Sequence, residues 1–77
     1  MDINSFIGSF ADQFDDLGDV VLTPETEFKQ VEGWNSLVAL SVIAMIDEEY
    51  DVTLKGNDIT KAVTIEDLFK TVQRKME

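Results

Sequence analysis

The chain has 77 residues, of which 44% are apolar, a length that allows one small domain with little room to enclose a large substrate. It contains no cysteine and no histidine, which excludes disulfides, a thiolate nucleophile, an imidazole base and an ordinary zinc site. Its formal net charge of −10 would repel nucleic acids and anionic membranes, so we expect partners with basic protein surfaces.

The charge is uneven along the chain. Residues 1–54 hold twelve acidic residues and one basic residue, whereas residues 55–77 hold four acidic and five basic residues. No apolar run approaches the roughly 20 residues of a membrane span, and the start of the sequence lacks the basic flank of a signal peptide. The sequence therefore predicts a cytoplasmic protein without a membrane partner.

The first predicted element is an amphipathic helix. Asp2 can cap its start and Gly18 can end it. A long loop follows over residues 19–35, and we expect its Phe28 to join the core and its Trp34 to pack the loop against the helices. The apolar residues of this helix recur at helical spacing: Ile3, Phe6, Ile7, Phe10, Phe14 and Leu17.

The second predicted helix begins beside Asn35 and runs to about Tyr50. Its predicted core face consists of Ala39, Val42, Ile43, Ile46 and Tyr50. The opposite face is unusually apolar for a solvated surface, which predicts a docking site with an acidic rim, although scattered surface hydrophobics are the simpler alternative. The predicted docking residues are Leu37, Ser41, Ala44 and Glu48, flanked by Val38 and Met45, with Asp47 and Glu48 as the rim.

Two further helices are predicted. Residues 57–61 can form one short turn of helix, with Ile59 and Val63 as its core contacts. The last helix spans about residues 65–75 and starts close to a capping box at Thr64 and Asp67. Its predicted inward residues are Ile65, Leu68, Phe69 and Val72. The sequence thus predicts an all-α fold over 1–77: a single-domain four-helix bundle with three main helices, one short helix and a long loop between helices one and two.

Ser36 is the candidate functional residue because it opens the second helix. Backbone N–H groups at a helix start favour a phosphate, and a serine there is exposed. The alternative is that Ser36 is merely the N-terminal capping residue of this helix.

The region around Ser36 resembles the acyl carrier protein family, the phosphopantetheine-binding carrier proteins. The resemblance rests on residues 33–37 (Gly-Trp-Asn-Ser-Leu), on residues 47–51 (Asp-Glu-Glu-Tyr-Asp) and on Ile43, Ile46 and Leu54, and it spans nearly the whole chain. It implies that Ser36, beside Asn35, carries 4′-phosphopantetheine received from coenzyme A, and that the thiol of this arm holds an acyl group as a thioester.

The resemblance also implies a role and partners. The protein would be a monomeric shuttle and not an enzyme, serving fatty-acid, lipid or specialised acyl or polyketide biosynthesis. Its partners would be a phosphopantetheinyl transferase and acyl-loading and acyl-processing enzymes with basic surfaces. The family typically has aspartate at the position of Asn35, and its familiar fatty-acid carriers tend to be acidic at the positions of Val38 and Ser41, so these departures favour a dedicated pathway.

Other functions remain open at this level. An aminoacyl or peptidyl carrier is similar in pattern, and the neutral Asn35 favours an adaptor that kept the fold without the arm. Paired carboxylates, 15–16 or 48–49, could serve acid–base catalysis only if they converged on a cleft. A calcium loop over residues 47–58 fails because Val52 and Asp58 stand where its glycine and glutamate belong.

Overall fold

The computed structural model describes residues 2–15 and 17–76, and within them the chain is all-helical and compact, with a radius of gyration of 11.3 Å. The predicted architecture of three main helices, one short helix and a long first loop is confirmed. The helices are α1 (Ile3–Ala11), α2 (Ser36–Tyr50), α3 (Gly56–Lys61) and α4 (Ile65–Met76), with a 3-10 turn at Phe28–Gln30 in the first loop.

Helix α1 starts where the sequence predicts but ends earlier. The carboxylate of Asp2 accepts a hydrogen bond from the Asn4 N–H at 3.3 Å, which satisfies a free donor of the first turn. The helix stops at Ala11, not at Gly18, because the following N–H groups bond three residues back, as in the 3.1 Å bond from Phe14 to the Ala11 carbonyl. These tight turns keep Phe14 buried, so the apolar periodicity continues beyond the helix.

Aromatic rings from several elements meet in the core. Phe6 of α1 packs edge-on against Phe69 of α4 with ring centroids 5.4 Å apart, and Phe10 packs against Phe28 of the first loop at 5.5 Å. Edge-to-face pairs of this kind add about 0.5–1.5 kcal/mol beyond the area that they bury. The aromatic contacts therefore tie α1, α4 and the loop into one core.

The long loop between α1 and α2 is pinned, as its apolar residues predicted. Phe28 is fully buried. The carbonyls of Thr26 and Pro24 each accept a 3.0 Å hydrogen bond from the first backbone N–H groups of α4, at Ile65 and Glu66. Because a helix start has no internal acceptors for these donors, the loop completes α4 while it is held in place.

The residues after α3 show one wrong prediction. Ile59 is buried as expected, but Val63 is 50% exposed and Ala62 is buried in its place. The backbone of Ala62 is extended (φ −74°, ψ 138°), and successive side chains of an extended chain point to opposite sides. The inward position therefore moves from Val63 to Ala62.

The predicted capping box of α4 is present. The Thr64 hydroxyl accepts from the Asp67 N–H, and the Asp67 carboxylate accepts from the N–H groups of Thr64 and Val63, all at 3.1 Å. These backbone hydrogen bonds, first from Thr64 and then from Val63, together with Lys70 nearby, hold the pKa of Asp67 below its usual range.

The lowered pKa of Asp67 predicts an acid-sensitive cap. A carboxyl whose pKa is lower in the folded state contributes stability above its unfolded pKa and loses it as the pH falls through the folded pKa. We expect Asp67→Asn to lower the melting temperature at neutral pH and to flatten its decline towards acid. Thermal melts from neutral to acidic pH check this prediction, and Glu32→Gln serves as the control at an exposed carboxyl. Equal acid sensitivity of the two variants would contradict it.

Candidate functional site

The segment that leads into α2 needs a glycine for its backbone conformation. Gly33 has φ +99°, a region that side-chain-bearing residues rarely adopt. A Cβ added there would lie 3.7 Å from the Phe14 ring, an ordinary contact distance. The backbone angle, and not crowding, therefore favours glycine at this turn.

Trp34 anchors this segment to the core. Its ring lies parallel to that of Phe10 at 6.2 Å and edge-on to that of Phe28 at 5.0 Å between centroids, and it also contacts Phe14 at 6.1 Å. The predicted packing role of Trp34 is confirmed. The indole fixes the chain two positions before the candidate serine.

Asn35, and not Ser36, caps α2. The side-chain oxygen Oδ1 of Asn35 accepts a hydrogen bond from the Val38 N–H at 2.9 Å, and the Asn35 carbonyl accepts from the Ala39 N–H at 3.0 Å. Asn35 therefore occupies the capping position, and Ser36 is the first helical residue. The alternative that Ser36 serves as the cap is wrong.

The Ser36 hydroxyl is free for chemistry. Ser36 is exposed, and within residues 2–15 and 17–76 its hydroxyl has no hydrogen-bond partner. The N–H groups of Ser36 and Leu37 have no acceptor within the helix, and the first turn of α2 contains no acidic residue. An anion attached to Ser36 would thus meet the positive end of a 15-residue helix whose first turn holds no carboxylate. The segment therefore offers a phosphodiester an exposed hydroxyl and two backbone N–H groups that have no acceptor within the helix.

The exposed face of α2 starts next to Ser36 and combines apolar and acidic residues. Leu37 is 70% exposed and Leu40 is 62% exposed, and Ala44 is exposed one turn further on. The acidic residues Asp47 and Glu48 lie exposed towards the end of the helix. We call this set, with the half-buried Ser41 at its edge, the α2 surface: Leu37, Leu40, Ser41, Ala44, Asp47 and Glu48.

Two predicted members of this face belong to the core instead. Val38 is 7% exposed and Met45 is 4% exposed, so their predicted position at the edge of the docking site is wrong. Leu40 was not predicted and is exposed. Because nearly every position from 37 to 46 is apolar, the periodicity of α2 leaves its rotation about the helix axis undetermined. Packing against α1 and α4 determines it.

The rotation also changes the predicted core face of α2. Val42 and Ile46 are fully buried as predicted. Ala39, Ile43 and Tyr50 are only partly buried. Since Tyr50 is half-buried and close to acidic groups, burial first, and then Glu49 and Asp2, raise its pKa.

The carboxylates considered for acid–base catalysis are exposed wherever the structure describes them. Glu48 and Glu49 are both exposed, and Glu49 accepts a hydrogen bond from the Ser9 hydroxyl at 2.8 Å, which links α2 to α1. Asp15 is exposed, and Asp16 lies outside the described residues. Nor does any described helix have both the length and the apolar character that crossing a membrane requires.

Comparisons with known proteins identify one family. A family model described as a phosphopantetheine attachment site matches residues 6–72, which includes α2, α3 and most of α1 and α4. No curated protein and no solved structure matches the chain.

Proposed function

The chain belongs to the phosphopantetheine attachment site family, whose members bind 4′-phosphopantetheine covalently, and from this we propose that Ser36 carries the arm. The exposed, unbonded hydroxyl at the first position of α2 supports this proposal most directly. When bound, the arm supplies a thiol that can hold an acyl group as a thioester, in a chain that has no cysteine of its own.

The residues around Ser36 have separate tasks in this proposal. Asn35 caps α2 through its bond to the Val38 N–H, so the Ser36 hydroxyl is not needed as a cap. The N–H groups of Ser36 and Leu37, which have no acceptor within α2, would favour the negative charge of a phosphate at this helix start. Trp34, packed on Phe10 and Phe28, keeps this geometry rigid. No residue of the chain is assigned a catalytic role.

The α2 surface is the proposed docking site for partner enzymes. Leu37 and Leu40 offer exposed apolar contacts beside the arm, and Asp47 and Glu48 offer negative charge to a basic partner. The partners would be a phosphopantetheinyl transferase and the enzymes that load and process the acyl group.

The proposal includes the setting in which the carrier works. We propose that residues 1–77 form one monomeric, cytoplasmic domain that carries acyl thioesters in fatty-acid, lipid or specialised acyl or polyketide biosynthesis. The neutral Asn35 and the apolar, uncharged start of the α2 surface favour a dedicated pathway over general fatty-acid synthesis.

Intact mass spectrometry tests the proposal. Incubation with coenzyme A and a phosphopantetheinyl transferase should add one phosphopantetheinyl group to the chain. Asn35 favours one competing function, an adaptor that binds proteins without the arm. Failure of several transferases to modify a correctly folded chain would support that adaptor.

Replacing Asn35 with aspartate should accelerate modification more than it changes stability. Asparagine and aspartate are comparable caps, so the free energy of unfolding should change by only a few tenths of a kcal/mol. A charge-assisted hydrogen bond to a basic transferase contributes about 1.5–3 kcal/mol, which corresponds to about tenfold or more in kcat/KM for arm transfer. Rates of modification at low and high salt measure this, because screening should remove part of the gain.

Asn57→Asp is the matched control because it adds the same charge on a different helix, α3. It should leave the modification rate nearly unchanged. If Asn35→Asp and the natural chain are modified at equal rates, the transferase does not recognise this position.

A further inference from the structure

The exposed side of α4 and the end of α3 form a basic surface on this acidic protein. Three open grooves lie there, the largest with a volume of about 500 Å³, and Arg74 lines all three. We call this area the α4 surface and define it by Lys61, Lys70, Arg74, Lys75 and Met76.

Within residues 2–15 and 17–76, the basic side chains of the α4 surface outnumber the acidic side chains beside them. Lys61 forms no ion pair in the described part of the chain. Lys70 approaches Glu66 only to 4.0 Å, an exposed pair of little strength. Among the described residues Arg74 donates one hydrogen bond, to the Thr71 hydroxyl at 3.3 Å, so most of its donors have no partner there.

The remaining charges on this surface are already engaged. Lys75 pairs with Asp58 at 3.7 Å. Asp67, the acidic residue that lines the largest groove, accepts hydrogen bonds from the N–H groups of Val63 and Thr64. The positive charge of the α4 surface is therefore carried mainly by Lys61, Lys70 and Arg74, and the carboxylate of Asp67 offsets part of it.

Helix stability explains only part of this basic cluster. Arg74 and Lys75 lie in the last turn of α4, and Lys61 lies in the last turn of α3. The helix dipole favours cations at these positions. Lys70 lies in the middle of α4 and gains nothing from that effect. The exposed Met76 adjoins Lys70 and Arg74 in one groove, so an apolar contact accompanies the charges.

The α4 surface and the α2 surface share no residue and lie on different helices. Helices α2 and α4 pack against each other, and each turns its buried residues, such as Ile46 and Leu68, into the common core. The exposed sides of the two helices therefore face away from that core. Their charges are opposite, since Asp47 and Glu48 mark one and Lys70 and Arg74 the other.

We propose that the α4 surface is a second docking surface, which binds an acidic amphipathic helix of a partner protein. Glutamates four residues apart on such a helix match Lys70 and Arg74, which have the same spacing on α4. An apolar residue of the partner helix would cover Met76. The net charge of −10 opposes nucleic acid, and grooves this open suit a protein surface better than a small anion. The partner would hold the carrier by α4 while enzymes visit α2.

Peptide binding to the full chain tests this surface. The probe is a fluorescein-labelled helical peptide of about 16 residues, four turns of glutamate and leucine at helical spacing, and fluorescence anisotropy reports binding. Binding should weaken with added salt. Arg74→Gln should weaken it by about two- to fivefold, as expected for one exposed charge pair. Lys55→Gln removes the same charge at a residue that does not line the three grooves, and it should leave binding unchanged.

Ser36→Ala separates this inference from the proposed function, since that variant should bind the peptide like the natural chain. Equal affinities of Arg74→Gln and Lys55→Gln would overturn the proposal, and so would equal or tighter binding of a peptide with lysine in place of glutamate. Displacement of the peptide by low concentrations of inorganic phosphate would assign the surface to a small anion instead. An Arg74-dependent dimer in sedimentation runs would assign it to a second copy of the chain.

Discussion

Replacing Ser36 with alanine should abolish attachment of the phosphopantetheine arm. The variant lacks the hydroxyl oxygen that would form the phosphodiester, and no other described side chain combines exposure with the first position of a helix as long as α2. The fold should be unaffected, since Asn35 caps α2 and the Ser36 hydroxyl bonds to nothing among the described residues. Intact mass after incubation with coenzyme A and a transferase measures the loss, which should be complete.

Ser41→Ala is the matched control because it removes a hydroxyl from the same helix, at the edge of the α2 surface. It should be modified to the same extent as the natural chain. A gain of mass in Ser36→Ala would refute the assignment of the site. Fluorescence of Trp34, the only tryptophan, reports whether each variant keeps the packed segment before α2.

Replacing Met45 with glutamate should destabilise the domain severely, whereas Leu40→Glu should not. Both changes place a carboxylate on α2, but Met45 is 4% exposed and Leu40 is 62% exposed. Losing the buried methionine and burying an unpaired polar group should together cost about 3–5 kcal/mol. At roughly 0.05–0.15 kcal/mol per residue the whole domain is stable by about 4–12 kcal/mol. Met45→Glu should therefore remove a large part of the free energy of unfolding.

Urea unfolding, monitored by the fluorescence of Trp34, measures the free energy of unfolding of both variants. Leu40→Glu should change the free energy of unfolding by about 0.5 kcal/mol or less, as an exposed substitution. It should still slow modification by the transferase, because it removes an apolar contact from the α2 surface next to Ser36. Similar unfolding midpoints for Met45→Glu and Leu40→Glu would show that α2 is rotated differently. An unchanged modification rate in Leu40→Glu would place the docking contacts elsewhere.

Local signals in the sequence were sufficient for the starts of the three main helices and for their caps. Asp2 caps α1, Asn35 caps α2, and Thr64 and Asp67 together cap α4. Each of these side chains bonds to a backbone N–H group within three residues. Ser36 was proposed in the same way, from its position in a local motif, and it lies within residues 6–72, which the family model matches. Such contacts depend on neighbours in sequence and are readable there.

Positions decided by packing between distant segments were not predictable in the same way. The apolar residues surround α2 on nearly all sides, so only contact with α1 and α4 shows that Val38 and Met45 are buried and Leu40 is exposed. The exchange of Val63 for Ala62 depends likewise on the extended backbone after α3. The α4 surface exists because folding brings Lys61 of one helix beside Lys70 and Arg74 of another. Periodicity determines that a helix has a buried face, but its rotation and the neighbours of its exposed face depend on the tertiary structure.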